Sequence, residues 1–418
     1  MAGTIVVDRI ESDASYASTI NVAGQITFSN TVNFGAYSGT APVAGFYLPS
    51  TNNLAFTTAS TERMRIDSSG NLLLGATSNT AAPTGYISAA NTFGFKNRII
   101  NGAMQIWQRG TTFADTTTYT ADRWFVNRNG GGTGVTVSRS GTNASNYYFK
   151  IQRQAGNTST LNFDMRQVIE TLNCADLAGQ TVTISLTAYA GSNWSAGSFS
   201  LGYQYSTAVD DNVNVSGSWV TVSGATITPT TTPTVYSYTF TVPANTLTLM
   251  LRIFGNPYVG TAGADDSLYI KNIQLEKGSA VTSFDYRPYS TELALCQRYY
   301  SKSYNHDVVP GTATTVGLEV CGWQGPGGAG GAYGNVKFPV KMRTTPATIN
   351  IWDGAGTATT TNSYTYGMGG SAQSISNGGA WWGSGTPFNT SHSGFFMRPT
   401  STQPNALTYC HYAADAEL

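Results

Sequence analysis

Between residues 134 and 277 the chain returns, segment after segment, to two-residue alternation of apolar and polar side chains. GVTVSRS, YYFKIQRQ, TVTISLTAYA, FSLGYQYS, SWVTVSGATIT, VYSYTFTV, LTLMLRIFG and SLYIKNIQLEKG all carry it, separated by Gly, Asn, Pro and Thr clusters. A period of two sends alternate side chains to opposite faces of a strand, one apolar and one polar. This many short strands with turn signals between them predict a two-sheet sandwich of jelly-roll type over residues 93–290. The one helical signal inside it is RQVIETLNCADLAGQ, where ADLAG fits a single turn.

Two other regions flank this one. In residues 1–92, TIVVDRI and GQITFSNTVNF read as short strands, and ERMRIDSSGNLLLG as two brief strands around a tight turn at Asp67–Asn71. This stretch holds too few apolar residues to bury a core alone. Strand-forming units of that kind gain stability by stacking on copies of themselves, as parallel chains around a threefold axis would. In residues 291–418, TELALCQRYYSKS fits a short helix with Thr291 as N-cap. Strand patterns then resume through LTYCHYAAD, with Gly-rich loops such as Gly325–Gly331 between them. The expected fold class is therefore all-β: a slender N-terminal anchor and shaft (1–92), a jelly-roll sandwich (93–290) and a β-rich tip (291–418), assembled as a homotrimer.

Composition removes several function classes. Only 11% of residues are charged, and 22 basic residues balance 22 acidic ones. Nothing in that balance would neutralise phosphates, so no nucleic-acid partner is expected, nor a polybasic membrane-surface role. No window offers the run of about 20 apolar residues that a membrane span needs, so no membrane insertion is expected. The start, MAGTIVVDRIESDAS, carries acidic residues where a signal peptide would be basic and then apolar. Synthesis in a bacterial cytoplasm without a signal peptide is the expectation. Cys174, Cys296, Cys321 and Cys410 form no Cys-x-x-Cys pair, which leaves a zinc or redox motif without support and a disulfide between distant cysteines open.

Several segments resemble tail-fibre and receptor-binding proteins of tailed bacteriophages, especially marine and cyanobacterial types. ERMRIDSSGNLLLGATS resembles a repeat of fibre shafts. NRIINGAMQIWQRGTTF with TADRWF resembles the opening of their jelly-roll domain, and LAGQTVTISLTAYAGS its central strands. IKNIQLEKGSAVTSFDYRPYSTELALCQRYYSKS is similar to the end of that domain and its link to the tip, and FPVKMRTTPAT to a strand of the tip. The resemblance implies carbohydrate-binding-module-like jelly rolls, trimers, attachment to virion tail proteins through the N-terminal segment, and recognition of host surface polysaccharide. One departure is that no terminal intramolecular chaperone domain is visible.

Catalytic chemistry is thinly represented. The three histidines, His306, His392 and His411, accompany neither a Gly-x-Ser-x-Gly elbow nor a His-Glu-x-x-His pair. His411 beside Cys410 reads as an alternating strand with the cysteine inward and the histidine outward. Asp210–Asp211 and Asp265–Asp266 are the paired acids. In loops such pairs serve turns or calcium more often than acid–base work, so Asp265 and Asp266 are the candidate ligands of a structural calcium, with no other cofactor expected. Sugars, by contrast, suit aromatic platforms flanked by polar groups. The aromatic-rich tip offers Trp323, Tyr333, Trp352, Trp381, Trp382 and His392 as glycan-binding candidates, against the alternative that such rings fill a core or a trimer interface. Trp107, Trp124 and Trp219 read as core, and Arg123 as a buried ion-pair partner of Asp122 or a distant acid. The expected function is a non-enzymatic tail fibre that attaches a phage to its host. The alternatives are a structural fibre decorating head or tail, and a glycan depolymerase tailspike.

Overall fold

The computed structural model describes residues 44–50, 52–68, 72–74, 87–89, 96–127, 134–143, 146–154, 163–195, 197–213, 218–255, 265–323, 334–358, 360–365, 373–379, 388–397 and 406–418. The chain divides into two compact units, residues 1–79 with 83–88, and residues 80–82 with 89–418. Both are built of antiparallel sheet, so the all-β expectation holds.

In the first unit the strands Ala44–Tyr47, Leu54–Thr58, Thr61–Ile66, Leu72–Leu74 and Ile87–Ala89 pair in chain order as one meander. Met64 faces Leu74 and Ile66 faces Leu72, which closes the hairpin expected from the Asp-Ser-Ser-Gly-Asn turn. Its apolar interior is thin. Ala55 and Leu73 are fully buried, whereas Phe46 is 54% and Ile66 41% exposed. An ion pair of Arg65 with Glu62, 2.7 Å long, and the Tyr47 hydroxyl donating to the same carboxylate supplement it.

The second unit contains the sandwich. One sheet runs, edge to edge, Thr234–Thr241, Thr181–Ala190, Ser267–Lys277, Tyr148–Arg153, Val135–Ser140 and Thr112–Ala114. The other runs Val220–Ile227, Phe199–Ser206, Thr248–Gly255, Phe163–Ile169, Phe125–Asn127 and Thr118–Tyr119. The chain passes repeatedly from one sheet to the other, the connectivity of a jelly roll. Inward residues of both sheets make one core: Phe149, Ile151, Ile184, Leu186, Leu201, Leu251, Ile253, Leu268 and Ile270, with Trp107 and Trp124. Trp219 is half-buried and packs against a separate apolar cluster. The predicted helical signal is corrected in part: RQVI belongs to the Phe163–Ile169 strand, and only Thr171–Cys174 is helical, followed by a 3-10 turn at Ala175–Leu177. That strand is buried on both faces, which erases the alternation that would mark it as a strand.

A helix, Tyr289–Gln297, leads out of the sandwich. It starts two residues ahead of the expected N-cap Thr291, with Pro288 in that role, because proline brings a preset φ and needs no hydrogen-bond partner for its nitrogen. Beyond it, Ala406–Asp415 is a central strand paired with Tyr300–Lys302, Thr348–Trp352, Glu319–Trp323 and Thr360–Thr365. Val336, Phe338, Met342, Ile351, Phe395 and Tyr412 fill the core around it. The same region covers the outer face of the second sandwich sheet: Phe125, Val168 and Met250 cluster with Cys296, Tyr299 and Leu418.

Beside that apolar seam lies a polar one. Arg123 pairs with Glu417, donates to the Val168 carbonyl at 2.6 Å and lies 3.5 Å from the centre of the Tyr299 ring. Arg109 reaches Asp415 at 3.0 Å and Glu417 at 3.4 Å. Arg123 thus finds a distant acid and not its neighbour Asp122, whose carboxylate instead accepts from the Gln108 amide nitrogens.

Candidate functional site

The outer face of the first sandwich sheet carries an ordered set of aromatic and cationic side chains. In YYFKIQR, Phe149 and Ile151 point into the core, so Tyr148, Lys150 and Gln152 take the opposite face, where Tyr148 is buried beneath its neighbours and Lys150 and Gln152 are partly exposed. The same parity turns Tyr189 outward between Ala188 and Ala190, and Tyr269 and Lys271 outward around Ile270. The registers then align them. Tyr189 faces Tyr269, Tyr269 faces Lys150, Lys150 faces Ser138 and Ser138 faces Thr112, one line across five strands. The next line runs Val235, Thr187, Lys271.

The three tyrosines touch. Tyr189 and Tyr269 stack with centroids 4.4 Å apart and planes 2° from parallel. Tyr148 stands edge-on to both, at 5.2 Å and 6.3 Å. Lys271 Nζ lies 4.3 Å from the Tyr148 centroid, and Lys150 Nζ 5.4 Å from that of Tyr269, so both ammonium groups sit on the aromatic cluster. Burial, with the neighbouring Tyr269, Tyr148 and Asp265, pushes the Tyr189 hydroxyl up to about 12, so it is a neutral donor at any working pH. At the margin, Asp265 accepts hydrogen bonds from Ser192 N at 2.9 Å, Ser267 Oγ at 3.0 Å and Tyr269 Oη at 3.2 Å. The Ser192 backbone N–H is the main reason its carboxyl is held below the ordinary range, and the serine and tyrosine hydroxyls add to it against the opposing effect of burial.

Asp265 and Asp266 do not converge. Asp266 is fully buried, pairs with Arg153 at 2.7 Å and accepts from Ser195 N and Oγ. Its charge is spent inside the sandwich, while Asp265 orients Tyr269. Among the described residues no group of three or more His, Cys, Asp or Glu is arranged to hold a metal ion. The other acid pair is also dispersed: Asp210 meets Arg343 at 3.2 Å, and Asp211 accepts from Ser206 Oγ at 2.6 Å.

The aromatic candidates of the C-terminal region have separate fates. Trp352 is half-buried, edge-on to Tyr304 at 6.0 Å, and its indole abuts Gly311. His392 is half-buried in the turn between Phe388–Ser391 and Gly394–Met397, where its carbonyl accepts from Met342 N at 2.8 Å. Trp323 ends the Glu319–Trp323 strand. Tyr333, Trp381 and Trp382 lie outside the described residues, as do residues 1–43 of the anchor and the glycines 325–331. The structure does not bring Trp352 and His392 into one described cluster.

Cys410 is disulfide-bonded, and Cys174 and Cys296 are free and buried. His411 is not outward as expected but fully buried, because the Ala406–Asp415 strand is covered on both faces. Its ring stacks on Tyr304 at 3.7 Å, its Nδ1 lies 3.0 Å from Ser303 Oγ and its Nε2 lies 3.0 Å from the Thr314 carbonyl. The carbonyl can only accept, so Nε2 carries the proton and Nδ1 accepts from Ser303.

No protein-family model matches the chain, and no curated protein does. Among solved structures, the chain is similar to the enzymatically active domain of bacteriophage CBA120 tailspike protein 4, at 15% identity and a TM-score of 0.30. That likeness covers 47% of this chain and only 24% of the tailspike domain. A CBM4 structure is similar at 17% identity and a TM-score of 0.28, over 42% of this chain and 97% of that one. TmCBM61 in complex with β-1,4-galactotriose is similar at 13% identity and a TM-score of 0.25, over 43% and 98%. Likenesses at these TM-scores carry no argument about function.

Proposed function

We propose that this chain is a carbohydrate-binding adhesin, a tail fibre that attaches a bacteriophage particle to polysaccharide on the host envelope. The observation that carries the reading is the Tyr148–Tyr189–Tyr269 cluster on a sheet face whose neighbouring positions are mostly polar. A sugar ring offers polarised C–H groups to aromatic faces and edges, and hydroxyls to hydrogen-bonding neighbours. Here the aromatic part is held rigid by strand register and mutual ring contact. Gln152, Ser138, Thr136 and the lysines surround it as adaptable donors and acceptors.

Adhesion needs no covalent step. The carboxylates Asp164, Glu170, Asp266 and Glu417 serve ion pairs within the fold. The thin apolar interior of the N-terminal unit supports side-by-side association of that segment with copies of itself, and the sequence resemblance supports its attachment to the particle's tail. A homotrimer would present several shallow sites together, so weak single contacts sum to firm attachment. The test is adsorption of fluorescently labelled protein to a panel of bacterial cells, with soluble envelope polysaccharide as competitor. Adsorption that the competitor abolishes supports the reading; adsorption indifferent to every polysaccharide and to periodate oxidation of the cells rejects it.

A further inference from the structure

We infer that the tyrosine face is selective for acidic glycans, whose carboxylate or phosphate groups Lys150 and Lys271 receive. The inference rests on the adhesin reading and adds to it the charge class of the ligand. Three observations converge on it. Both ammonium groups are drawn in over the tyrosine rings, at 5.4 Å and 4.3 Å, and so flank the same cluster that would carry the sugar. Among the described residues, neither has a carboxylate within ion-pair distance, although this chain pairs Arg98, Arg109, Arg123, Arg139, Arg153 and Arg166 with acids. Asp265, the acid at the margin of this face, is committed to Ser192, Ser267 and Tyr269.

The spacing fits as well. Lys150 faces Tyr269, and Lys271 is two residues further along the same strand, so the lysines are diagonal same-face neighbours, roughly 7–8 Å apart at the backbone. Each ammonium group lies against a different ring of one cluster, so a single acidic glycan lying across it meets both. Partial burial on apolar rings weakens water's competition for each ammonium group, which makes an incoming anion worth more there than at a freely solvated lysine.

The experiment measures binding of the full chain by titration calorimetry to three probes at low salt. They are polygalacturonate, its carboxyl-reduced neutral galactan, and a glycerol-phosphate teichoic acid. Expected is a roughly tenfold preference for one acidic polymer over the neutral one, falling with added sodium chloride and abolished in Lys150→Gln/Lys271→Gln. Which acidic polymer wins separates a carboxylate from a phosphate ligand. Neutral galactan bound as tightly as both acidic polymers overturns the inference and leaves the adhesin reading intact. An acidic preference that survives the double substitution overturns it too. If none of the three binds, the inference falls, and the adsorption assay on cells decides the adhesin reading separately. The unfolding curve of the double variant should match the parent, since neither lysine is part of the core.

Discussion

At the scale of single residues, most charged side chains of this sparsely charged chain are structural. Arg153 and Asp266 have no exposed side-chain surface and meet at 2.7 Å inside the sandwich. Removing one partner leaves an uncompensated buried charge, so Asp266→Ala should cost about 3–5 kcal/mol in urea unfolding. A cost below about 1 kcal/mol would show that Arg153 finds another partner or escapes to water. His411 gives a pH signature. Burial is the main cause holding its pKa below the ordinary histidine value of 6.5, against the Thr314 carbonyl bond. In the window between the lowered folded value and 6.5, the unfolded chain binds the proton and the folded chain does not. Stability from this group is therefore complete above pH 6.5 and is lost as pH falls through that window. The difference in stability between parent and His411→Gln should shrink from pH 7.5 to pH 5; a constant difference would contradict the assignment of a neutral, buried imidazole.

Elements tell which parts of this architecture could be read in advance. The strands Val135–Ser140, Tyr148–Arg153, Thr181–Ala190 and Thr234–Thr241 were legible because their core-facing apolar residues recur at every second position. Phe163–Ile169 was not, because both its faces are covered: the polar Gln167 falls on the inward phase with Phe163, Met165 and Ile169, and the apolar Val168 on the outer phase with Asp164 and Arg166, which breaks the alternation. For the same reason His411 could not be placed: alternation separates faces but does not say that both are buried. The tyrosine face was within reach of the pattern, since Tyr148, Tyr189 and Tyr269 occupy the outward phase of their strands. What alternation could not supply was the register that brings the three together across separations of tens of residues. The Arg123–Glu417 contact, between residues 294 apart, lay equally beyond local pattern. That contact makes an element-level prediction. Glu417→Ala strands Arg123 and removes one partner of Arg109, so the Ala406–Asp415 strand should loosen from the sandwich. Limited proteolysis should then release the C-terminal region first, with a loss of about 3–5 kcal/mol. Simultaneous loss of both regions would contradict this seam as the point of weakness.

For the molecule as a whole, the two sandwich faces divide their work. The outer face of the Phe163–Ile169 sheet is consumed by the C-terminal region, whereas the opposite outer face keeps Tyr189, Tyr269, Lys150 and Lys271 partly exposed. The fibre reading asks the N-terminal unit to bury Phe46 and Ile66 against other copies. Light scattering should therefore give three times the chain mass of 44.3 kDa, and removal of residues 1–90 should lower that number or weaken the assembly. A monomer at micromolar concentration would remove avidity from the proposed mechanism while leaving the single site to be tested. The most direct trial of the central claim is an array of bacterial polysaccharides probed with the full chain and with Tyr189→Ala/Tyr269→Ala. The account predicts that the parent binds a restricted set of glycans and that the variant, destabilised by about 1–2 kcal/mol through the lost ring contacts but still unfolding cooperatively, loses at least about tenfold in affinity for each. Equal binding by parent and variant would contradict it, and would move recognition off this face altogether.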